Sequence, residues 1–101
     1  MIRRLTFQSA AVNEANEAYW WYEDQVPGLG GEFYRELTRC LDFVMENPIL
    51  ARIVYRDLRK RKLDRFPYVI FYRLSETEVS IVSVFPASRD PNIWKKRANK
   101  S

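Results

Sequence analysis

The chain has 101 residues and a formal net charge of +4, with 47% hydrophobic and 15% aromatic residues. This length and composition fit one globular domain with a hydrophobic core and exclude a chain that is disordered throughout. The sequence has no histidine, a single cysteine (Cys40) and no glycine-rich phosphate-binding motif. These absences exclude an intrachain disulfide, standard zinc sites, histidine-activated nucleophiles and a nucleotide cradle, so we expect no metal and no cofactor.

The first elements are predicted to be a short strand and an amphipathic helix. Residues Ile2–Phe7 favour a β-strand, with Leu5 and Phe7 on one face. From about Ala10 to Gln25, small and aromatic residues recur every three or four positions and trace one helical face: Ala11, Ala15, Ala18, Tyr22 and Val26. Pro27-Gly28 and then Gly30-Gly31 interrupt this pattern, which predicts a tight connection.

A second helix is predicted from about Gly31 to Glu46. Its apolar stripe consists of Phe33, Leu37, Cys40, Leu41 and Val44. We interpret Cys40 as a small buried apolar residue of this stripe. Asn47-Pro48 ends the helix, because a residue that precedes proline is disfavoured in the α region. Two amphipathic helices with a short connection predict an antiparallel helical hairpin.

The second half of the chain is predicted to consist of strands. Residues 53 to 63 favour one strand that is apolar at first and then basic. Tyr68–Leu74 and Val79–Phe85 are almost wholly apolar and are joined by a turn at 75–77, so we expect them to be central in the sheet. The predicted order is β-α-α-β-β-β, an α+β domain over residues 1–97 with the helical hairpin packed on one side of a largely antiparallel sheet. Residues 98–101 form a polar tail.

Charge is distributed unevenly along the chain. Residues 1–50 contain eight acidic and four basic side chains, a net charge of −4, whereas residues 51–101 contain five acidic and thirteen basic ones, a net charge of +8. This asymmetry indicates a polyanionic partner for the second half, either nucleic acid or an acidic protein. For any single residue the alternative is a solvated edge strand protected by lysine and arginine. The basic residues concentrate in two groups: Arg59, Lys60, Arg61, Lys62 and Arg65, then Lys95, Lys96, Arg97 and Lys100.

An aromatic run on the first helix is the other conspicuous feature. Tyr19, Trp20, Trp21 and Tyr22 cannot all face one core, because successive helical residues point about 100° apart. At least one large ring should therefore be exposed or covered by a partner.

Four segments in order resemble the RelE/ParE family of toxins from type II toxin–antitoxin systems. They are QVPGLGGEF (Gln25–Phe33), NP (Asn47-Pro48), RFPYVIFY (Arg65–Tyr72) and SVFPASRDPNIWKKR (Ser83–Arg97), and together they cover nearly the whole chain. The resemblance implies a β-α-α-β-β-β fold and a cytoplasmic toxin that arrests growth and serves plasmid stabilisation. It also implies hetero-oligomers with an antitoxin, usually acidic, that wraps a segment across the toxin. No membrane partner is expected.

The resemblance allows two modes of action. In RelE-like members, ribosome-dependent mRNA endonucleases, a 2′-hydroxyl attacks the adjacent phosphate, which needs a proton acceptor and cations. The residues that would serve here are Lys60, Lys62, Arg65 and Arg89. This chain departs from that pattern: Trp94 stands where a tyrosine would act, and Pro86 stands where many relatives have histidine. We therefore favour the ParE-like mode, in which the toxin inhibits DNA gyrase by protein–protein contact without catalysis.

Two sets of binding residues follow from this interpretation. We expect the target to contact Arg59, Arg61, Arg65, Arg89, Trp94 and Arg97. We expect the antitoxin to contact Tyr19, Trp20, Trp21, Tyr22, Lys60 and Lys62.

Overall fold

The computed structural model describes residues 3–89, 92, 95, 96 and 99. Its elements are β1 (Arg4–Phe7), α1 (Ser9–Gln25), α2 (Leu29–Glu46), β2 (Ile53–Tyr55), β3 (Leu58–Lys62), β4 (Tyr68–Leu74) and β5 (Glu78–Pro86). The strands form one sheet in the order β1-β5-β4-β3-β2. β1 pairs with β5 in parallel, and the other neighbours are antiparallel. The predicted α+β class, with a helical hairpin on a largely antiparallel sheet, is confirmed.

The prediction of one strand over residues 53 to 63 was wrong, because this segment folds back on itself as the β2–β3 hairpin. Tyr55 pairs with Leu58 across a two-residue turn. Arg56 occupies the left-handed region of the backbone with φ of 54°, a conformation usually taken by glycine, asparagine or aspartate. Asp57 Oδ1 lies 3.0 Å from Arg73 Nε, which holds the turn against β4.

The helices follow their predicted faces with two differences. In α1, Ala11 and Ala18 are buried, and Ala15 and Tyr22 pack against the core at its margin. Val26 was expected on this face but is 55% exposed, because the chain has already left the helix there and is extended. α2 begins at Leu29 rather than Gly31 and ends at Glu46 as predicted. Its whole predicted stripe is buried.

A carboxylate of α1 organises the connection between the helices. Glu23 Oε2 accepts a hydrogen bond from the Gly28 amide (2.9 Å), and Oε1 accepts one from the Gly30 amide (3.0 Å). These amides lie at the N-terminus of α2, where a helix has unsatisfied donors. Gly28 has φ of 92°, and a Cβ atom on Gly30 would lie 2.7 Å from the Tyr19 carbonyl oxygen. Both glycines are therefore required by geometry.

The sheet is buried on both faces. The main core joins the helices to one face and includes Ile70, Tyr72 and Ile81. On the opposite face, called here the second face, a smaller cluster is partly covered by Val54 and Tyr55 of β2; it consists of Leu58, Val69, Phe71, Val82 and Phe85. The prediction that Tyr68–Leu74 and Val79–Phe85 are central strands is confirmed.

One edge of β5 is only partly covered by β1, which pairs with residues 78–81. Further along β5, a side chain of α1 satisfies the strand edge instead of β1. Glu14 Oε1 accepts hydrogen bonds from the Val84 amide (3.1 Å) and from Ser83 Oγ (3.0 Å). An open strand edge is thus capped by a helix side chain.

Within the described residues, neither helix is long and apolar enough to cross a membrane.

Candidate functional site

The basic cluster predicted from the sequence is divided between the two faces of the sheet. β3 lies between β2 and β4, so it is not an edge strand. Lys60 and Lys62 are paired with Phe71 and Val69, whose side chains belong to the second face. Because side chains alternate along a strand, the arginines at 59 and 61 point to the helix side. The structure therefore does not bring these four basic residues together.

The two arginines on the helix side have contacts within the chain. Arg59 Nη1 donates hydrogen bonds to the carbonyl oxygens of Ile49 (3.1 Å) and Ala51 (2.7 Å). Arg61 Cζ lies 4.0 Å from the centre of the Phe43 ring on α2, a cation–π geometry. Both side chains connect β3 to α2 and to the segment that follows it.

Arg65 also has a partner on α2. Its Nη2 atom lies 2.9 Å from Glu32 Oε1, near the start of that helix and away from Lys60. Arg59, Arg61 and Arg65 thus each have a structural contact, and their predicted role in binding a target stays a prediction.

A groove on the second face connects Lys60 with Arg89, and we call it the cationic groove. Arg89 follows β5 in a turn in which its amide donates to the Pro86 carbonyl at 3.1 Å. The lining between the two cations is hydrocarbon and is formed by Val69, Phe71, Phe85, Pro86 and Ala87. Among the described residues that line this groove there is no histidine and no carboxylate, so Lys60 and Arg89 are its only polar side chains.

Tyr55 lies on the same face and was missed by the sequence analysis. Its hydroxyl donates to Asn99 Oδ1 at 3.0 Å, and Lys95 Nζ lies 5.6 Å from the ring centre. Hydrogen bonds with Arg56 and then with Asn99 lower the pKa of Tyr55 below its ordinary value. No local sequence signal could have indicated this position, because it depends on the unexpected β2–β3 turn.

Trp94 and Arg97, both predicted to bind the target, lie outside the described residues, as does most of the predicted tail.

The aromatic run is divided between core and solvent, as predicted. Tyr19 stacks on Tyr34 of α2 with 4.6 Å between ring centres, and Tyr22 packs against the main core. Trp20 is 61% exposed and Trp21 is 58% exposed. Burial raises the pKa of Tyr22 above its ordinary value, in keeping with its inward position.

A second groove lies between Trp21 and Arg89, across the partly open edge of β5. Its lining includes carboxylates from α1, the ring of Tyr68 and Pro86. Burial raises the pKa of Tyr68, while the nearby Arg89 opposes this rise. Arg89 and Pro86 line both grooves. The exposed tryptophans and Lys60 therefore lie on different sides of the molecule, and Arg89 is where the two grooves meet.

A protein-family model described as the ParE toxin of the type II toxin–antitoxin system, parDE, matches residues 5–91. Among curated proteins, none matches this chain significantly.

Solved structures of similar fold include the chromosomal ParDE toxin–antitoxin system from P. aeruginosa, with a TM-score of 0.76, 15% identity, and coverage of 86% of this chain and 98% of that one. A double mutant of the E. coli toxin RelE in the free state has a TM-score of 0.73 and 21% identity, and covers 99% of this chain and 98% of its own. The same RelE mutant in complex with an antitoxin peptide has a TM-score of 0.65 and 21% identity, over 95% of this chain and 94% of its own.

Proposed function

The chain belongs to the ParE toxin family of type II toxin–antitoxin systems, and we propose that it inhibits DNA gyrase by direct protein–protein contact through the cationic groove. The observation that carries this proposal is the lining of that groove. Between the basic side chains of Lys60 and Arg89 its described lining is apolar. Such a surface can bind an acidic protein patch, because an apolar floor with a cationic rim supplies contact area and steers the encounter.

The described lining of this groove offers neither a histidine nor a carboxylate as a base, so a nuclease reaction here would have to use the amine of Lys60. Attack by a ribose 2′-hydroxyl requires a group that takes its proton. Pro86, which stands where many RelE-like relatives have histidine, lies at the end of β5 and lines the groove with an inert ring. Inhibition by contact needs no such group, and this supports gyrase binding over cleavage as the mode of action.

The test is inhibition of DNA supercoiling by purified gyrase, with the toxin titrated against a fixed amount of enzyme. We expect inhibition by the wild-type protein and loss of about tenfold or more in potency for K60E and R89E. Arg35→Glu is the matched control, because it makes the same charge change on an exposed position of α2. Absence of inhibition by the wild-type protein, or equal potency of all three variants, would refute the proposal.

The alternative is ribosome-dependent cleavage of mRNA, and Tyr55 favours it. Its phenol has a lowered pKa beside Arg56 and Lys95, and it could exchange a proton near cations that hold phosphates. Incubation with ribosomes that carry a defined message tests this directly. Cleavage that is lost in Tyr55→Phe would establish the nuclease and displace gyrase as the target.

We further infer that the toxin acts in the cytoplasm and that its antitoxin neutralises it there. Induced alone in bacteria, it should arrest growth, and co-expression of the antitoxin should restore growth. Normal growth at high soluble expression would show that this chain is not an active toxin.

A further inference from the structure

The solvent-facing side of α1 is a continuous aromatic and acidic stripe. Its members recur with helical spacing and are all exposed: Asn13, Asn16, Glu17, Trp20, Trp21 and Asp24. Two exposed indoles side by side on a chain of this size are unfavourable in water unless a partner covers them. Apart from the groove beside Trp21, the tryptophans also line a shallow depression with Glu17 and Asp24.

Both indoles are held in place by tyrosines that face inward. Trp20 meets Tyr19 edge to face, with 4.9 Å between ring centres and an angle of 88°. Trp21 meets Tyr22 in the same way, at 5.1 Å and 87°. Rings that are already ordered lose little side-chain entropy on binding, which makes them effective anchors.

The charges that α1 contributes around these rings are negative, and among the described residues the one cation nearby is Arg89 at the far side of the groove beside Trp21. Residues Ser9–Gln25 contain four carboxylates and no lysine or arginine. Glu17 and Asp24 flank the tryptophans, and Glu23 is already bound to the amides at the start of α2. The face of an indole ring also attracts cations. An acidic segment would be repelled here, whereas lysine or arginine side chains are favoured by both the carboxylates and the rings.

We propose that this stripe is the docking site for a segment of the antitoxin in which lysine or arginine residues flank an aliphatic side chain. The inference rests on the proposed function, because the groove at Trp21 continues through Arg89 into the cationic groove. A segment seated on the stripe is therefore placed to cover that groove as well. The sequence-based expectation gave the antitoxin contacts with both the aromatic run and Lys60 and Lys62, and it assigned no charge to the segment on the aromatic run. In the present proposal the acidic part of the partner lies beyond Arg89, and a basic part lies on α1.

The test uses the full-length toxin and two synthetic peptides of equal length, one of lysine and leucine and one of glutamate and leucine. Binding is followed by fluorescence anisotropy of the labelled peptide. We expect the lysine peptide to bind and the glutamate peptide not to compete for the stripe. The Kd of the lysine peptide should rise about tenfold for at least one of W20A and W21A. It should rise by a similar factor for the double variant E17K/D24K.

Asp42→Lys is the matched control, because it reverses an exposed carboxylate on α2 and should change Kd less than twofold. Preference for the glutamate peptide, or equal binding by E17K/D24K and wild type, would overturn the proposal.

The source of the segment is tested by displacement of the lysine peptide. Antitoxin produced from the gene adjacent to that of the toxin should displace it. Displacement by gyrase but not by the antitoxin, or dimerisation of the toxin that W20A abolishes, would assign the stripe to another occupant and overturn the proposal. These measurements need no supercoiling assay, so a failed gyrase proposal and a failed docking proposal give different results.

Discussion

The guanidinium of Arg61 lies over the ring of Phe43, with 4.0 Å between Cζ and the ring centre. The preceding residue, Lys60, lies on the other face of the sheet and lines the cationic groove. Two adjacent basic residues therefore have different roles, one in joining β3 to α2 and one at a surface available to a partner.

Replacement of these two residues by alanine should separate stability from function. Arg61→Ala should lower the free energy of unfolding by about 1 kcal/mol, because it removes a cation–π contact and the packing of the side-chain stem. Lys60→Ala should change it by no more than about 0.5 kcal/mol, as is usual at exposed positions. Urea denaturation of both variants is the measurement. Equal destabilisation would show that the side of the sheet does not distinguish them.

Glu23 should contribute more to stability than its neighbour Asp24. Glu23→Ala removes the acceptor of the Gly28 and Gly30 amides, and we expect a loss of about 1–2 kcal/mol, the range for helix caps. Asp24→Ala, one residue further on and exposed, serves as control and should be nearly neutral. Thermal and urea unfolding of both variants would check this. A neutral Glu23→Ala would mean that solvent satisfies these amides equally well.

Cys40 should react slowly with thiol reagents. Burial raises the pKa of its thiol from 9.0 to about 11, although Arg61 opposes the rise. At pH 8 the folded protein should therefore contain about 100-fold less thiolate than an unperturbed cysteine. Mass spectrometry after timed treatment with iodoacetamide measures the rate, and the same protein in urea is the control. Equal rates in both conditions would contradict the burial of Cys40.

The same shift in pKa has a consequence for stability at alkaline pH. Between pH 9 and about 11 the unfolded thiol ionises while the folded one stays protonated. Folding stability that depends on Cys40 is therefore fully present below pH 9 and is lost as the pH rises through this window. Unfolding free energies of the wild-type protein and Cys40→Ala, compared at pH 8 and pH 11, should converge or cross as the pH rises. A constant difference between them would contradict this linkage.

The β2–β3 turn should tolerate glycine better than arginine. Arg56 has a left-handed backbone, and Arg56→Gly removes the steric strain that a side chain suffers in that conformation. Glycine loses more backbone entropy on folding, so the expected net gain is about 0.5–1 kcal/mol in unfolding free energy. Arg56→Ala is the control, because it removes the side chain but keeps the strained backbone, so it should bring no gain. Stabilisation by alanine alone would attribute the effect to the side chain.

Periodicity in the sequence predicted the elements that are determined locally. The stripe of α2 from Phe33 to Val44 and the apolar strands β4 and β5 depend on spacing within one element, and the structure confirms them. The β2–β3 hairpin was missed because Arg56 gives no turn signal. Similarly, alternation separates Lys60 from Arg61 on any strand, but only tertiary packing decides which of them meets α2. The sequence shows that carboxylates lie near Trp20 and Trp21 on α1. Only the fold shows that these tryptophans and Lys60 lie on different sides of the molecule.

The parallel pairing of β1 with β5 has a consequence for the timing of folding. β1 spans Arg4–Phe7, whereas its partner residues are 78–81 near the end of the chain. During synthesis the first strand has no hydrogen-bonding partner until β5 has been made, so the sheet is completed only late. Since β5 ends just before Arg89, the cationic groove also forms at that moment. A nascent chain therefore lacks both the completed sheet and the cationic groove until the residues of β5 and Arg89 have been made.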